Sequence, residues 1–268
     1  MSFFDSVEIK FVLDILVMQL SHNDMMAFIH VLEHGKGIGK AIAKDIFDAL
    51  VKLGNGDVFK GLFTPDSSIK NPYQSNRVKN VQLGLFDDFI ELGSVSKFKD
   101  CGFEEAFLSN AILKHPKLSV DGAKYLYDFY LLMKMIRRTK VPESLVSSVT
   151  SSMMYSRLKE NLATKRATQK DGTVNIMQKT KAHAKINRKV MLLKNLARNF
   201  NDLSKFVNSM ILGGGEMSEG DGVNLLSVHA SKGLEFKEVF VIDLMDGRFP
   251  NRKLMRREKT FLCCCNKS

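Results

Sequence analysis

Cysteine is almost absent from this chain, which has one residue at Cys101 and three consecutive residues from Cys263 to Cys265. This set provides no framework of paired disulfides. Zinc ligands are separated by two or more residues, and three consecutive cysteines lack that spacing. No histidine lies near these cysteines in the sequence. We therefore expect no disulfides and no metal site.

Long apolar runs are also missing. No stretch approaches the roughly 20 apolar residues that a membrane-spanning helix needs. The amino terminus lacks the basic, apolar and small-residue segments of a signal peptide. The sequence therefore predicts a cytoplasmic protein with no membrane partner.

A third absence concerns nucleotide chemistry. Motors driven by ATP hold phosphates in a GxxxxGK[ST] loop and use acidic residues for Mg²⁺ and arginines for the transferred phosphoryl group. The 268 residues contain no GxxxxGK[ST] sequence. We therefore expect this chain alone to have no ATPase activity.

Positive charge is in excess, with 40 Lys and Arg against 29 Asp and Glu and a formal net charge of +11. This excess favours a polyanionic partner such as nucleic acid, and an uninvolved basic surface is the alternative. Residues 157–189 are dense in Lys and Arg and poor in large apolar residues. We expect loops and a solvated helix face there, with a DNA-facing surface as the alternative.

Helical spacing dominates the first two hundred residues. Apolar residues recur every three or four positions from Ile9 to Leu20, as in a helix with one buried face. Similar patterns predict helices at residues 27–32, 41–53, 81–92, 103–113, 123–136, 190–200 and 204–212. Glycine and proline breakers separate them, and His115-Pro116 should end one. The sequence therefore predicts an almost entirely α block, followed by a flexible linker.

Two runs of apolar, β-branched or aromatic residues follow, at residues 223–226 and 239–242, around a short SKGLE turn. They resemble buried parallel strands. Ligands gather at the carboxyl ends of such strands, where the polar residues of this turn would be displayed: Ser227, His229, Ser231, Lys232 and Glu235. A buried strand pair whose turn merely carries a lysine and a glutamate is the alternative.

A Gly-Ile-Gly turn begins at Gly37 and precedes a predicted amphipathic helix. Gly37 and Gly39 permit a tight turn, and the backbone N–H groups at the helix start can hold a phosphate. Lys36, Lys40 and Lys44 add positive charge, as in a helix-hairpin-helix that grips duplex DNA without reading sequence. An ordinary helix corner with a glycine cap is the alternative.

The SKGLE region closely resembles a motif of UvrD/Rep/PcrA-type DNA helicases, T-x-H-x-x-K-G-L-E-F followed by a strand and an acidic-Gly-x-F-P element. The matching residues are Ser227, His229, Lys232, Gly233, Leu234, Glu235, Phe236, Asp246, Gly247, Phe249 and Pro250. The opening FFDSVEIKFVLDIL is similar to the family's F-F-x-x-x-E-I-K-D, with Phe11 in place of the usual aspartate. The family also carries a G-I-G element that it uses on duplex DNA.

The resemblance implies roles for several of the matched residues. Glu235 would hold the ribose of ATP and Gly233 would complete the nucleotide site, while Ser227, His229 and Lys232 would bind single-stranded DNA. Gly37, Gly39 and Lys40 would bind duplex DNA. ATP and Mg²⁺ are the cofactors of the intact family enzyme, and its amino-terminal motor domain is an expected partner.

The final residues, RREKTFLCCCNKS, stand where the family's last motif, E-E-E-R-R-L-x-Y-V-A-x-T-R-A, should follow. Permitted codons for this string, read one base later, encode E-E-K-R-L-F-Y-V-A-V-T-R. We therefore predict a frameshift near Met255, with residues 256–268 out of frame. An unusual natural tail is the alternative.

These observations predict an α/β fold, and the resemblance implies a RecA-like motor-domain fragment with parallel strands that carries a large and almost all-α inserted subdomain. The expected organisation is an opening motor segment at 1–14, the helical subdomain at 15–212, a linker at 213–222, and motor-domain strands with the SKGLEF motif at 223–255. The predicted function is a fragment of an ATP-dependent 3'-5' DNA helicase that is inactive alone. A stand-alone DNA-binding module and part of a RecB-type helicase-nuclease are the alternatives.

Overall fold

A computed structural model describes residues 3–4, 6–73, 97–211 and 238–242 of the chain. The chain divides into two compact units, Met1–Met217 and Ser218–Ser268. The described part of the first unit has ten α-helices: α1 Val7–Leu20, α2 Met25–Leu32, α3 Lys40–Leu53, α4 Val58–Phe63, α5 Glu105–Leu108, α6 Val120–Ile136, α7 Pro142–Ser151, α8 Met153–Ala167, α9 Ile176–Ala197 and α10 Leu203–Ile211. Short 3-10 helices lie at Lys99–Cys101 and Ala111–Lys114.

Local sequence sets where several of these helices begin. Asp24, Ser119, Ser152 and Asn175 precede α2, α6, α8 and α9, and each side chain accepts a hydrogen bond from a backbone N–H of the first turn. Such caps satisfy N–H groups that have no partner within the helix. Pro142 occupies the start of α7, where its missing N–H costs nothing.

Helix α1 lies in the core and packs against α2, α7, α9 and α10. Its predicted apolar stripe, including Ile9, Val12 and Leu16, is fully buried. Burying one such side chain contributes about 1.5 to 3 kcal/mol. Helix α1 also runs without a break through the predicted domain boundary at residue 14, and that boundary stays a prediction.

A buried carboxylate joins α1 to the hairpin formed by α8 and α9. The side chain of Glu8 is fully buried, with Arg166 Nη2 at 2.7 Å from Oε2 and Lys189 Nζ at 2.9 Å from Oε1. Burial raises the pKa of Glu8, but the hydrogen bonds from Arg166 and Lys189 outweigh that effect and hold the pKa below its usual value. Two separate helices are thereby fixed to α1 through one carboxylate.

The predicted α/β fold with parallel strands is wrong, because the part of the chain that the structure describes is helical and has no β-strand. Residues 239–242, predicted as a buried strand, have no regular structure, and their side chains are 38 to 86% exposed. An apolar β-branched run forms a buried strand only where neighbouring strands pair with its backbone. No described residue provides such a strand.

One predicted helix, at residues 103–113, is divided. The structure has α5 and then a 3-10 helix, separated at Asn110. This buried side chain donates hydrogen bonds from Nδ2 to the carbonyl oxygens of Gly61 and Leu62 and accepts one from the N–H of Ile112. Because the amide is held by α4, it competes with a continuous helical backbone.

The basic segment at residues 157–189 contains more helix than predicted. Only the connection between α8 and α9 is non-helical, and an antiparallel bridge between Thr168 and Val174 closes it. The buried positions of α9 are few and widely spaced, Ala182, Ile186, Leu193 and Ala197, so its apolar pattern is weak. Lys, Arg and Ala nevertheless favour helices, and packing of α8 on α9 supplies the rest.

None of the helices in the described part of the chain combines the length and the apolar character that crossing a membrane requires.

Candidate nucleic-acid interface

Most of the predicted site residues lie outside the described residues. These are the nucleotide-binding pair and the three single-strand contacts: Gly233, Glu235, Ser227, His229 and Lys232. Their roles stay predictions. The three predicted duplex contacts are described and lie together: Gly37 and Gly39 are in the connection between α2 and α3, and Lys40 is the first residue of α3. We call residues 35–39 the glycine turn.

Gly37 has a conformation that only glycine adopts easily. Its φ of +83° lies in the left-handed region. A Cβ atom at Gly37 would lie 2.3 Å from the Oγ of Ser119, which accepts the N–H of Gly122 at the start of α6. The glycine turn is therefore seated directly against the capped start of α6.

Two further residues of the turn, Ile38 and Gly35, pack against α6. Ile38 is buried, and its Cγ1 lies 3.2 Å from the position that a Cβ on Gly122 would take. A Cβ on Gly35 would lie 2.3 Å from the ring of Tyr125, whose hydroxyl donates to the carbonyl oxygen of Val31. The small residues of the turn therefore let it contact α6 closely.

Gly39 has a different role. Its φ of −89° suits any residue, and no atom lies within 4 Å of a Cβ placed there. Gly39 is the N-cap of α3, and no side chain caps this helix. Gly39, Lys40 and Ala41 are exposed, so the first N–H groups of α3 face solvent. Binding of an anion at this exposed helix start stays a prediction.

The three lysines around the turn each lie near a carboxylate. Lys36 Nζ is 2.8 Å from Asp121 Oδ2, Lys40 Nζ is 3.8 Å from Glu33 Oε2, and Lys44 Nζ is 2.7 Å from Asp48 Oδ2. The hydrogen bond from Lys36 lowers the pKa of Asp121 and raises that of Lys36. The positive charge predicted at this turn is thus largely offset.

Sequence reasoning missed these carboxylates for different reasons. Asp48 lies four residues after Lys44 on the same helix, so the spacing alone indicates that pair. Asp121 belongs to α6 and reaches Lys36 only through the fold. Exposed pairs of this kind contribute little to stability, so a phosphate could displace the carboxylates at low cost.

The predicted absence of a metal site concerns cysteines that lie partly outside the described residues. Within residues 3–4, 6–73, 97–211 and 238–242, no group of three or more His, Cys, Asp and Glu side chains is arranged to hold a metal ion.

Comparisons with known proteins agree with the motifs. The family described as the UvrD-like helicase C-terminal domain matches residues 1–260. Over 50 residues the chain is 46% identical to a probable DNA helicase II homolog of Mycoplasma genitalium. That alignment covers 18% of this chain and 7% of the relative. No solved structure gives a significant match.

Proposed function

Because the chain belongs to the UvrD-like helicase C-terminal domain family, we propose that it is part of an ATP-dependent DNA helicase moving 3'-5' along single-stranded DNA. The observation that carries this proposal is the family match, which extends across residues 1–260. The SKGLEF motif lies within that range. The match therefore includes both the helical unit and the residues assigned to nucleotide and single-strand binding.

In this proposal the described helices present the glycine turn to duplex DNA. The uncapped N–H groups at the start of α3 donate to a backbone phosphate, and the partial positive charge of the helix end favours that anion. Lys36 and Lys40 exchange their carboxylate partners for phosphate oxygens. Because no base is contacted in this mode, binding is independent of sequence.

The remaining roles belong to the SKGLEF motif. Glu235 would hold the ribose of ATP beside Gly233, and Ser227, His229 and Lys232 would bind the single strand. Hydrolysis of ATP, with Mg²⁺ neutralising charge on its phosphates, would supply the free energy for movement along DNA. The phosphate-binding loop would come from the amino-terminal motor domain, because these 268 residues contain no GxxxxGK[ST] sequence.

A second candidate is a DNA-binding module that acts without a motor. The missing phosphate loop favours it, and so does the helical unit's own core, in which buried apolar residues from α1 to α10 form one cluster. Such a module would bind duplex DNA with the same affinity whether or not ATP is present.

ATP hydrolysis separates these candidates. The purified chain should hydrolyse no ATP with or without single-stranded DNA, and DNA-stimulated hydrolysis would refute its inactivity. Joining the chain to the amino-terminal motor domain of a UvrD-like helicase should give DNA-stimulated hydrolysis that Glu235→Gln weakens. A fusion without activity, combined with nucleotide-independent duplex binding, would favour the module.

A further inference from the structure

Nearly all of the net charge lies in one hairpin and its flanking residue. Residues 153–198, which comprise α8, α9, their connection and Arg198, contain 12 Lys and Arg and two acidic residues. The difference of these counts is +10, against +11 for the whole chain. The other residues are thus close to neutral, and the charge is concentrated on what we call the α8–α9 hairpin.

Five of the 12 cations have partners that maintain the fold. Arg166 and Lys189 bind Glu8, Arg157 binds Asp128, Lys179 binds Glu160 and Arg198 binds Glu143. These side chains hold the hairpin together or fix it to α1, α6 and α7. They are therefore committed to structure.

Both acidic residues of the hairpin are also occupied. Glu160 contacts Lys179 at 2.5 Å and His183 at 3.0 Å. Asp171 accepts hydrogen bonds from the N–H and the hydroxyl of Thr173 in the connection. Neither carboxylate pairs with the remaining cations.

The other seven basic side chains form no ion pair with any residue that the structure describes. They are Lys159, Lys165, Lys170, Lys181, Lys185, Arg188 and Lys194. Three of them, Lys181, Lys185 and Arg188, are exposed and follow the i, i+4, i+7 spacing of a single helix face. At 1.5 Å per residue this row extends about 10 Å along α9.

We propose that the exposed face of α9 carrying Lys181, Lys185 and Arg188 is a second duplex-DNA surface that binds phosphates independently of the glycine turn. The occupant is argued from charge complementarity. A strand of duplex DNA presents a phosphate about every 3.4 Å of axis, so a 10 Å row can meet about three. An exposed cation without a carboxylate partner gives up no ion pair when it meets a phosphate.

This inference rests on the proposed function in taking duplex DNA as the ligand, but it concerns different residues. A triple variant tests it, Lys181→Gln with Lys185→Gln and Arg188→Gln, which leaves the structural pairs intact. The matched control is Lys60→Gln with Lys99→Gln and Arg138→Gln, three exposed cations outside the hairpin that form no ion pair with described residues. Both variants lower the net charge by three, and circular dichroism verifies that both fold.

The readout is the affinity of the full chain for a fluorescent duplex of about 20 base pairs at several salt concentrations. The α9 variant should lose about tenfold to a hundredfold at low salt, and the slope of log K against log salt should fall by about 2 to 3. The control should bind like the unchanged chain. An α9 variant with unchanged affinity and slope would overturn the proposal, and so would an equal loss in the control.

Two further arms separate this proposal from others. Polyglutamate of similar charge serves as an acidic-protein probe. If the α9 variant lost equal affinity for polyglutamate and for duplex DNA, the surface would be assigned to acidic proteins and the proposal overturned.

The variant Lys36→Gln with Lys40→Gln tests the glycine turn. Duplex binding lost in this turn variant but kept in the α9 variant would contradict the inference alone. An unchanged chain without any duplex binding would contradict the proposed function too.

Discussion

The glycine turn and the α8–α9 hairpin both present lysines to solvent, yet they differ in what surrounds those lysines. At the turn, Lys36, Lys40 and Lys44 each lie within 4 Å of a carboxylate. On α9, Lys181, Lys185 and Arg188 form no ion pair with described residues. We therefore expect the pairing of the lysines in the fold, rather than their number, to decide where a polyanion binds.

The two regions also attach to the core in different ways. The turn is held by close contact, since Gly37 leaves room for the side chain of Ser119. The hairpin is held by charge, through the Glu8 carboxylate with Arg166 and Lys189. Packing and ion pairing respond differently to mutation and to pH, so the comparison can be tested.

The largest effect should come from Glu8→Gln, which leaves Arg166 and Lys189 without their carboxylate. We expect a loss of about 2 to 3 kcal/mol in the free energy of unfolding, below the usual range for a buried pair because both cations are about one third exposed. Urea denaturation measures it. Glu160→Gln is the matched control, since it also contacts two basic side chains but is half exposed, and a much smaller loss is expected. Equal losses would contradict attachment through a buried charge.

Acid should weaken the Glu8 attachment with a defined sign. The pKa of Glu8 is lower in the folded chain than its ordinary value of 4.5. Its contribution to stability is therefore complete above about pH 4.5 and is lost as the pH falls through the lower folded pKa. The unfolding free energy of the unchanged chain should fall more steeply than that of Glu8→Gln below about pH 4.5. Parallel curves for the two chains would contradict the lowered pKa.

Gly37→Ala should cost more than Gly172→Ala, although both glycines have a φ of +83°. A Cβ at Gly172 would have no atom within 4 Å, so the loss in the free energy of unfolding comes from backbone strain alone and is about 1 kcal/mol. At Gly37 the Cβ also displaces Ser119 Oγ and removes the cap of α6, which brings the total to about 2 kcal/mol. Thermal or urea unfolding of both variants measures the difference.

A double variant checks the cause. Ser119→Ala should cost about 1 kcal/mol by itself but little in the Gly37→Ala background, where the cap is already lost. Additive losses would show that Ser119 is not the residue that Gly37 accommodates.

The smallest effect concerns the carboxylates at the turn. Asp121→Asn frees Lys36 from its partner, so duplex affinity should rise about twofold to threefold at low salt. Asp100→Asn, at an exposed position without an ion pair among the described residues, is the control for the change in net charge. Fluorescence anisotropy with a labelled duplex measures both. An equal rise in the two variants would assign the effect to overall charge.

Residues with strong local patterns were predictable from the sequence. The stripe from Ile9 to Leu20 lies in α1, and the segment after Gly39 forms α3. The division at Asn110 was not predictable, because the carbonyl groups that hold it come from Gly61 and Leu62 on another helix. The strand predicted at residues 239–242 was wrong because composition indicates β-propensity but cannot supply the neighbouring strand.

At the candidate interface, the turn and its open helix start followed from Gly37 and Gly39 in the sequence. The sequence did not predict the contact of Gly37 with Ser119 or the pairing of Lys36 with Asp121, because both depend on the position of α6. The sequence shows Glu8 as a carboxylate next to the apolar stripe of α1. It does not show the partners of Glu8, because Arg166 and Lys189 lie more than 150 positions away along the chain.

The most direct test is a titration of fluorescent duplex DNA with the purified chain, without nucleotide, between about 50 and 200 mM salt. We predict sequence-independent binding whose affinity falls about tenfold to a thousandfold across that range, as expected for several phosphate contacts. Failure to bind duplex at the lowest salt concentration, or an affinity that does not change with salt, would contradict the account.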